Sequence, residues 1–394
     1  MFGTSRVSHR AFAAGMVLAA FAGAAVHAGE HTLYTFTGGS DGAYPFAGLT
    51  EDADGNFYGA ASSGGAKGQG TLFRIGPHGT FSVLYAFAGG NDGAAPLSAP
   101  LVDRHGNLYG VTETGGGACN CGIVYRLSRK GKETVLHAFT GQPDGFDPFA
   151  GLTKDKAGNL YGTTLSGGTY YGTVYQIASG SESVLYAFGG GSDGDSPYPG
   201  VSLDRSGNLY GATSYGGTHG FGTVFALAPG GPKTVLYNFA GSADAASPSS
   251  TPIRDRRGNF YGLARFGGGS CNCGAVYKLS RNGRERLIHS FTGGTDGFSP
   301  GYGLTRDTAG NLYGVTTEGG STNCSGYGCG VVFQIAPDGT ESILYVFQGG
   351  ADGSSPYAAP VVDAQGNVYG TAEYGGTGYG TVYATTATVA RRAK

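Results

Sequence analysis

Asp155-Lys-Ala-Gly-Asn-Leu-Tyr-Gly-Thr-Thr164 recurs, as a close copy, six more times along the chain. The Gly-Asn pairs fall at Gly55, Gly106, Gly158, Gly207, Gly258, Gly310 and Gly366, so the spacings are 51, 52, 49, 51, 52 and 56 residues. A fixed period of that size marks a repeat architecture, in which one supersecondary unit stacks on copies of itself. Each period holds four short segments of strand composition separated by turn signals. In the third period they cover residues 149–154, 159–164, 172–177 and 183–188, here called strands a, b, c and d. Asp155 suits the first turn position between a and b, and Gly158 accepts the positive φ that closes a tight hairpin. No segment repeats apolar residues at helical spacing, so an all-β chain is expected.

Four antiparallel strands about every fifty residues have the size of a β-propeller blade. The order of segments at the two ends supports closure into a ring. A d segment, Leu33-Tyr34-Thr35-Phe36, comes before any a, b or c, and the last period stops after its c segment at 380–384. Seven of each strand type result. The expected fold is therefore a seven-bladed propeller, with the N-terminal d strand completing the C-terminal blade and removing the open end of a solenoid. The b strands carry Tyr at seven positions, from Tyr58 to Tyr369. The c strands carry Phe or Tyr from Phe73 to Tyr383, and the d strands end in Phe from Phe36 to Phe347. Packing between blades accounts for these rings, so aromatic richness alone implies no sugar platform.

Composition bounds the class. The chain has 394 residues, 78 of them Gly, yet 26 Tyr and 22 Phe argue against disorder. Arg6 and Arg10 precede a small apolar run that ends at Val26-His27-Ala28, the pattern of a secretory signal peptide cleaved after Ala28. The domain reading is a leader over 1–28, a propeller over 29–389 and a short basic tail over 390–394. Without the leader, 23 basic residues face 27 acidic ones. That mild negative balance argues against nucleic acid as a partner, and no later run is apolar enough to span a bilayer. A monomer, secreted or periplasmic, is expected.

The mature chain resembles the secreted bacterial proteins called choice-of-anchor tandem repeat, or GloVer, proteins. Their pattern of Gly-Gly-x-Asp-Gly and Pro, then Asp-x-x-Gly-Asn-Leu-Tyr-Gly, then Gly-Thr-Val-Phe is matched at 190–225. The Asp-x-x-Gly-Asn-x-Tyr core is also similar to that of NHL-type propellers. The resemblance implies a secreted propeller-like repeat protein and brings no established activity.

In such a blade the long b–c and d–a connections share one face, and the short a–b and c–d turns share the other. Loops on a rigid scaffold usually carry function. Cys119, Cys121, Cys271, Cys273, Cys324 and Cys329 all fall in b–c loops, and in an exported protein they are expected to form local disulfides. Zinc held by Cys-x-Cys with His137 or His289 is the alternative, short of four visible ligands. Asp41, Asp92, Asp144, Asp193, Asp244, Asp296 and Asp352 recur in the d–a loops and read as turn devices. Only Asp144 with Asp147 and Asp193 with Asp195 offer the paired acids calcium prefers. No cofactor is called for.

The candidate recognition residues are those that break the repeat: Tyr170, Tyr171, Tyr215, His219, Phe221, Arg265, Glu318, Tyr327, Tyr374 and Tyr379, with Phe266 beside them. Glu113 and Glu373 are the candidate acid/base pair for a hydrolase or lyase working near the channel. No nucleophile elbow, phosphate loop or His-Glu-x-x-His motif accompanies them. The reading favours binding of an extracellular glycan or protein over catalysis, with a structural envelope or matrix component as a third class.

Overall fold

A computed structural model describes residues 30–386. The expected leader and basic tail lie outside these residues. The chain forms seven antiparallel sheets in a ring, each ordered a, b, c, d, and in blades 5 and 6 a further short strand, Ala245–Pro248 and Phe298–Pro300, pairs with the far end of strand b. In blade 3 the strands are Thr153–Lys154, Leu160–Thr164, Thr173–Ala178 and Ser181–Ala187. In the seventh sheet Val361–Val362, Asn367–Ala372 and Thr381–Thr386 are followed in space by Glu30–Thr35, which pairs antiparallel with Thr381–Thr386. The described residues contain no α-helix, only single 3-10 turns at Gly90–Asp92 and Gly191–Asp193. Among the described residues no helix is long and apolar enough to cross a membrane.

The repeated stretch works through one carboxylate. Asp155 Oδ1 accepts the Asn159 backbone N–H at 2.9 Å, while Oδ2 accepts Asn159 Nδ2 at 2.7 Å and the Tyr161 hydroxyl at 3.1 Å. The Tyr-to-Asp bond recurs in all seven copies at 2.9–3.2 Å. The repeat tyrosine thus ties strand b to its own a–b turn as well as packing at the seam. Gly158 closes that turn at φ 96°, where a side chain would be strained.

Blades hold one another through rings. Each d-strand Phe meets the c-strand aromatic of the next blade edge to face, as Phe139 does Tyr175 at 5.1 Å and Phe36 does Phe73 at 5.3 Å across the closing seam. All seven seams repeat this contact at 5.0–5.3 Å, and each pair contributes about 0.5–1.5 kcal/mol beyond the area it buries.

One expected boundary is corrected. Strand a of blade 3 was placed over 149–154, but only Thr153–Lys154 are ladder-paired. The preceding residues run toward the ring axis instead, because Phe149 packs there on Tyr198 at 4.0 Å.

Candidate functional site

The loop face is built by two stitches repeated seven times. In the d–a loop the Asp carboxylate accepts the backbone N–H four residues before it, at 2.6–2.8 Å from Asp41 to Asp352. Three residues after each Asp, just before a Pro, stand Tyr44, Ala95, Asp147, Ser196, Ser247, Ser299 and Ser355, all at φ 52–56°. Their N–H groups donate at 2.9–3.2 Å to the carbonyl of the residue two before strand c in the neighbouring blade. Non-glycine residues enter this left-handed region rarely, and such conformations cluster at functional rims.

The residue after that Pro turns inward in blades 1, 3, 4 and 7, and in blade 6 the second residue after it does so. Phe46, Phe149, Tyr198, Tyr302 and Tyr357 come from blades 1, 3, 4, 6 and 7, yet their rings touch. Phe46 lies 5.5 Å from Phe149, 5.7 Å from Tyr302 and 4.6 Å from Tyr357, and Tyr198 lies 4.9 Å from Tyr302. Contacts between such distant blades are met only at the axis, so these rings plug it. Beneath the plug is a cavity of about 1010 Å³ lined by all seven blades and reaching the a–b turns at Asp204–Ser206 and Asp255.

The residues that follow strand b ring the upper side of the plug. Arg265 donates from Nη1 to the Tyr302 hydroxyl at 2.7 Å and from Nε to Ser299 Oγ at 3.1 Å. Burial raises the Glu113 carboxyl above the usual carboxylate range, and the nearby charge of Asp147 adds to this. Burial also raises Glu373, against a hydrogen bond from Tyr374. Tyr357 is pushed up to about 12, first by burial and then by Glu373. Glu113, Arg265 and Glu373 are thus gathered around the axis. Glu318 is half-buried where strand b of blade 6 pairs with Phe298–Pro300, and His219 is exposed on its b–c loop.

The position before strand c has a structural use that the repeat pattern had not revealed. The rings of Tyr171, Phe221 and Tyr379 cover Gly190, Gly241 and Gly38 in the d–a loops. In blades 2, 5 and 6 the pairs Cys119–Cys121, Cys271–Cys273 and Cys324–Cys329 cover Gly141, Gly293 and Gly349 in the same way. No cysteine is free, so the sulfurs are engaged with one another. Disulfide and ring are interchangeable caps here. Tyr170 and Tyr327 are the most open rings, at 73% and 72% exposure, followed by Tyr215 at 55%. Tyr374 is exposed and meets Tyr44 edge to face at 5.7 Å.

The paired acids part company. Asp144 is held by His137 and Thr140, whereas Asp147 lies within electrostatic reach of Glu113. Asp193 is taken by Tyr186, Gly189 and Lys233, and Asp195 accepts from Ser196. Sequence reasoning missed the axial rings, Tyr44 and Asp147 as members of one site. Aromatic residues after Pro at 46, 149, 198 and 357 were the available signal.

The Gloeobacter/Verrucomicrobia repeat matches residues 19–201 and again 152–383. The chain belongs to that repeat family. No curated protein matches it by sequence. Among solved structures it is similar to the extracellular domain of a protein named as a hybrid two-component system from B. thetaiotaomicron, with TM-score 0.57 and 12% identity over 90% of this chain. The repeat protein spans 39% of that domain's length. It is also similar to puromycin hydrolase, with TM-score 0.52 and 11% identity over 83% of this chain and 50% of the other. A protein named as a 6-phosphogluconolactonase from Bacteroides uniformis gives TM-score 0.51 and 16% identity, over 78% and 85%. At these identities the likeness is one of fold.

Proposed function

We propose that this is an exported propeller that binds an extracellular ligand, a glycan or a protein, through its b–c loop face. One observation carries the reading: every exposed Tyr or Phe among the described residues, namely Tyr170, Tyr171, Tyr215, Phe221, Phe266, Tyr327, Tyr374 and Tyr379, lies on that face. Exposed rings cost solvation unless a partner covers them, and rigid aromatics are the usual anchors of recognition. Arg265, Glu113 and Glu373 add charge of both signs at the centre of the same face. Probing printed arrays of polysaccharides and of peptides with the labelled protein tests this, and saturable capture is expected on one of them.

A second reading is supported by Glu113 and Glu373. Both are half-buried carboxyls that burial biases toward the protonated form, the direction a general acid needs. Turnover of a captured polysaccharide that disappears in Glu113→Gln or Glu373→Gln would establish it, and capture without turnover would leave the binding reading alone.

A further inference from the structure

In blades 2 to 6 the residue four before the d-strand Tyr or His faces the d–a loop Asp of the preceding blade. Between blades 3 and 4 that residue is Lys233, whose side chain is 2% exposed and whose ammonium lies 2.6 Å from Asp193 Oδ1 and also contacts the Asp193 carbonyl. This seam carries its own cation. Between blades 2 and 3, and again between blades 5 and 6, the same position holds a glutamate, so that a second carboxylate meets the Asp. At those two seams alone the d-strand tyrosine is also replaced by histidine.

We propose that His137, Asp144 and Glu182, and likewise His289, Asp296 and Glu341, form two equivalent divalent transition-metal sites. One ligand atom from each residue of a set lies within 4.8 Å of the others. His137 Nε2 is 3.1 Å from both Asp144 oxygens. His289 Nε2 is 3.3 Å from Glu341 Oε1 and 3.7 Å from Asp296 Oδ2. Donors around a tetrahedral zinc at bond lengths of about 2.0–2.1 Å stand roughly 3.3 Å apart, so the sets are close to ligating geometry.

Three further features point to an ion. Glu182 Oε1 and Glu341 Oε1 are buried atoms that make no hydrogen bond, as are Glu133 Oε1 and Glu285 Oε1 at the seams without histidine; His289 Nε2 adds an orphaned buried nitrogen, an arrangement that is costly without a ligand. The Asp of each set is held from behind by a threonine. Thr140 donates its N–H and hydroxyl to Asp144, and Thr292 does the same to Asp296, a hold that Thr37 also gives Asp41 and that suits an outer partner of a metal ligand. Finally, Lys233 shows that a positive charge fits this position in the repeat. An imidazole nitrogen beside two carboxylates favours zinc, manganese or a similar ion over calcium, which takes oxygen alone. The seams of Tyr85, Asp92 and Glu133 and of Tyr237, Asp244 and Glu285 pair the acids without the imidazole and serve as internal controls.

The test is metal stoichiometry. Full-length protein stripped with a chelator and exchanged into clean buffer is titrated with zinc, and separately with manganese and calcium. Two zinc or manganese ions per chain are expected, with a raised melting temperature. His137→Tyr and His289→Tyr, which install the residue the other five blades use, should each lower the number to one, and the double variant should bind none. Glu341→Lys copies Lys233 and should remove one site while raising the melting temperature of the metal-free protein. No binding, binding whose number is unchanged by these substitutions, or calcium bound as tightly as zinc at the same sites would overturn the proposal.

Discussion

The ring of Tyr175 in strand c lies directly over Gly162 in strand b, so close that a Cβ on Gly162 would stand 2.6 Å from Tyr175 Cζ. The same pairing joins Gly59 to Phe73, Gly211 to Phe225 and Gly314 to Phe333. The final Gly of the repeated stretch is therefore set by packing within the blade. Gly162→Ala should destabilise the protein by about 1–3 kcal/mol, the usual cost of overpacking a core. Denaturant midpoints check this, and adding Tyr175→Val should restore part of the loss.

Lys233 and Asp193 form the one lysine–aspartate pair among the described residues in which the lysine is fully buried. Removing one member strands the other charge, which costs about 3–5 kcal/mol in buried pairs. Asp193 is partly open to water, so Lys233→Met should cost about 3 kcal/mol, the low end of that range. The double variant Lys233→Met with Asp193→Asn should recover stability relative to Lys233→Met alone, read as the coupling of a double-mutant cycle.

Burial raises the Glu133 carboxyl to about 7, with the charge of Asp92 adding to it. The folded form binds this proton more tightly than the unfolded chain does. The stability it contributes is therefore complete below the ordinary glutamate range near 4.3 and is lost as pH rises through about 7. Melting temperatures across pH 4–8 should fall less steeply for Glu133→Gln than for the native protein. An identical slope would place Glu133 in water.

The blade count, the strand order and the positions of the seam rings were legible in the sequence because a period near fifty residues repeats them seven times. The axial site was not. Phe149 opens a segment of strand composition, and nothing in one period says that a ring from blade 1 will meet rings from blades 3 and 6. Only closure of the ring brings Phe46 to Phe149 and Tyr302. The caps were hidden for a related reason: Tyr171 and Cys121 share a repeat position but no chemistry, and their common task of covering a d–a glycine appears only in three dimensions. His137 and Glu182 are 45 residues apart and in different blades, so their meeting depends on how blades are stacked.

On the proposed function, the loop face, and not the face of short turns, recognises the ligand. The most direct test is a binding isotherm for the strongest array ligand, measured with native protein, with Tyr215→Ala plus Tyr374→Ala, and with Arg205→Ala on the opposite face. Anchor residues typically contribute about 2 kcal/mol or more each. The paired tyrosine substitutions should thus weaken binding by roughly 1,000-fold, while Arg205→Ala leaves it unchanged. Binding lost with Arg205→Ala and kept without the two tyrosines would place recognition on the face of short turns.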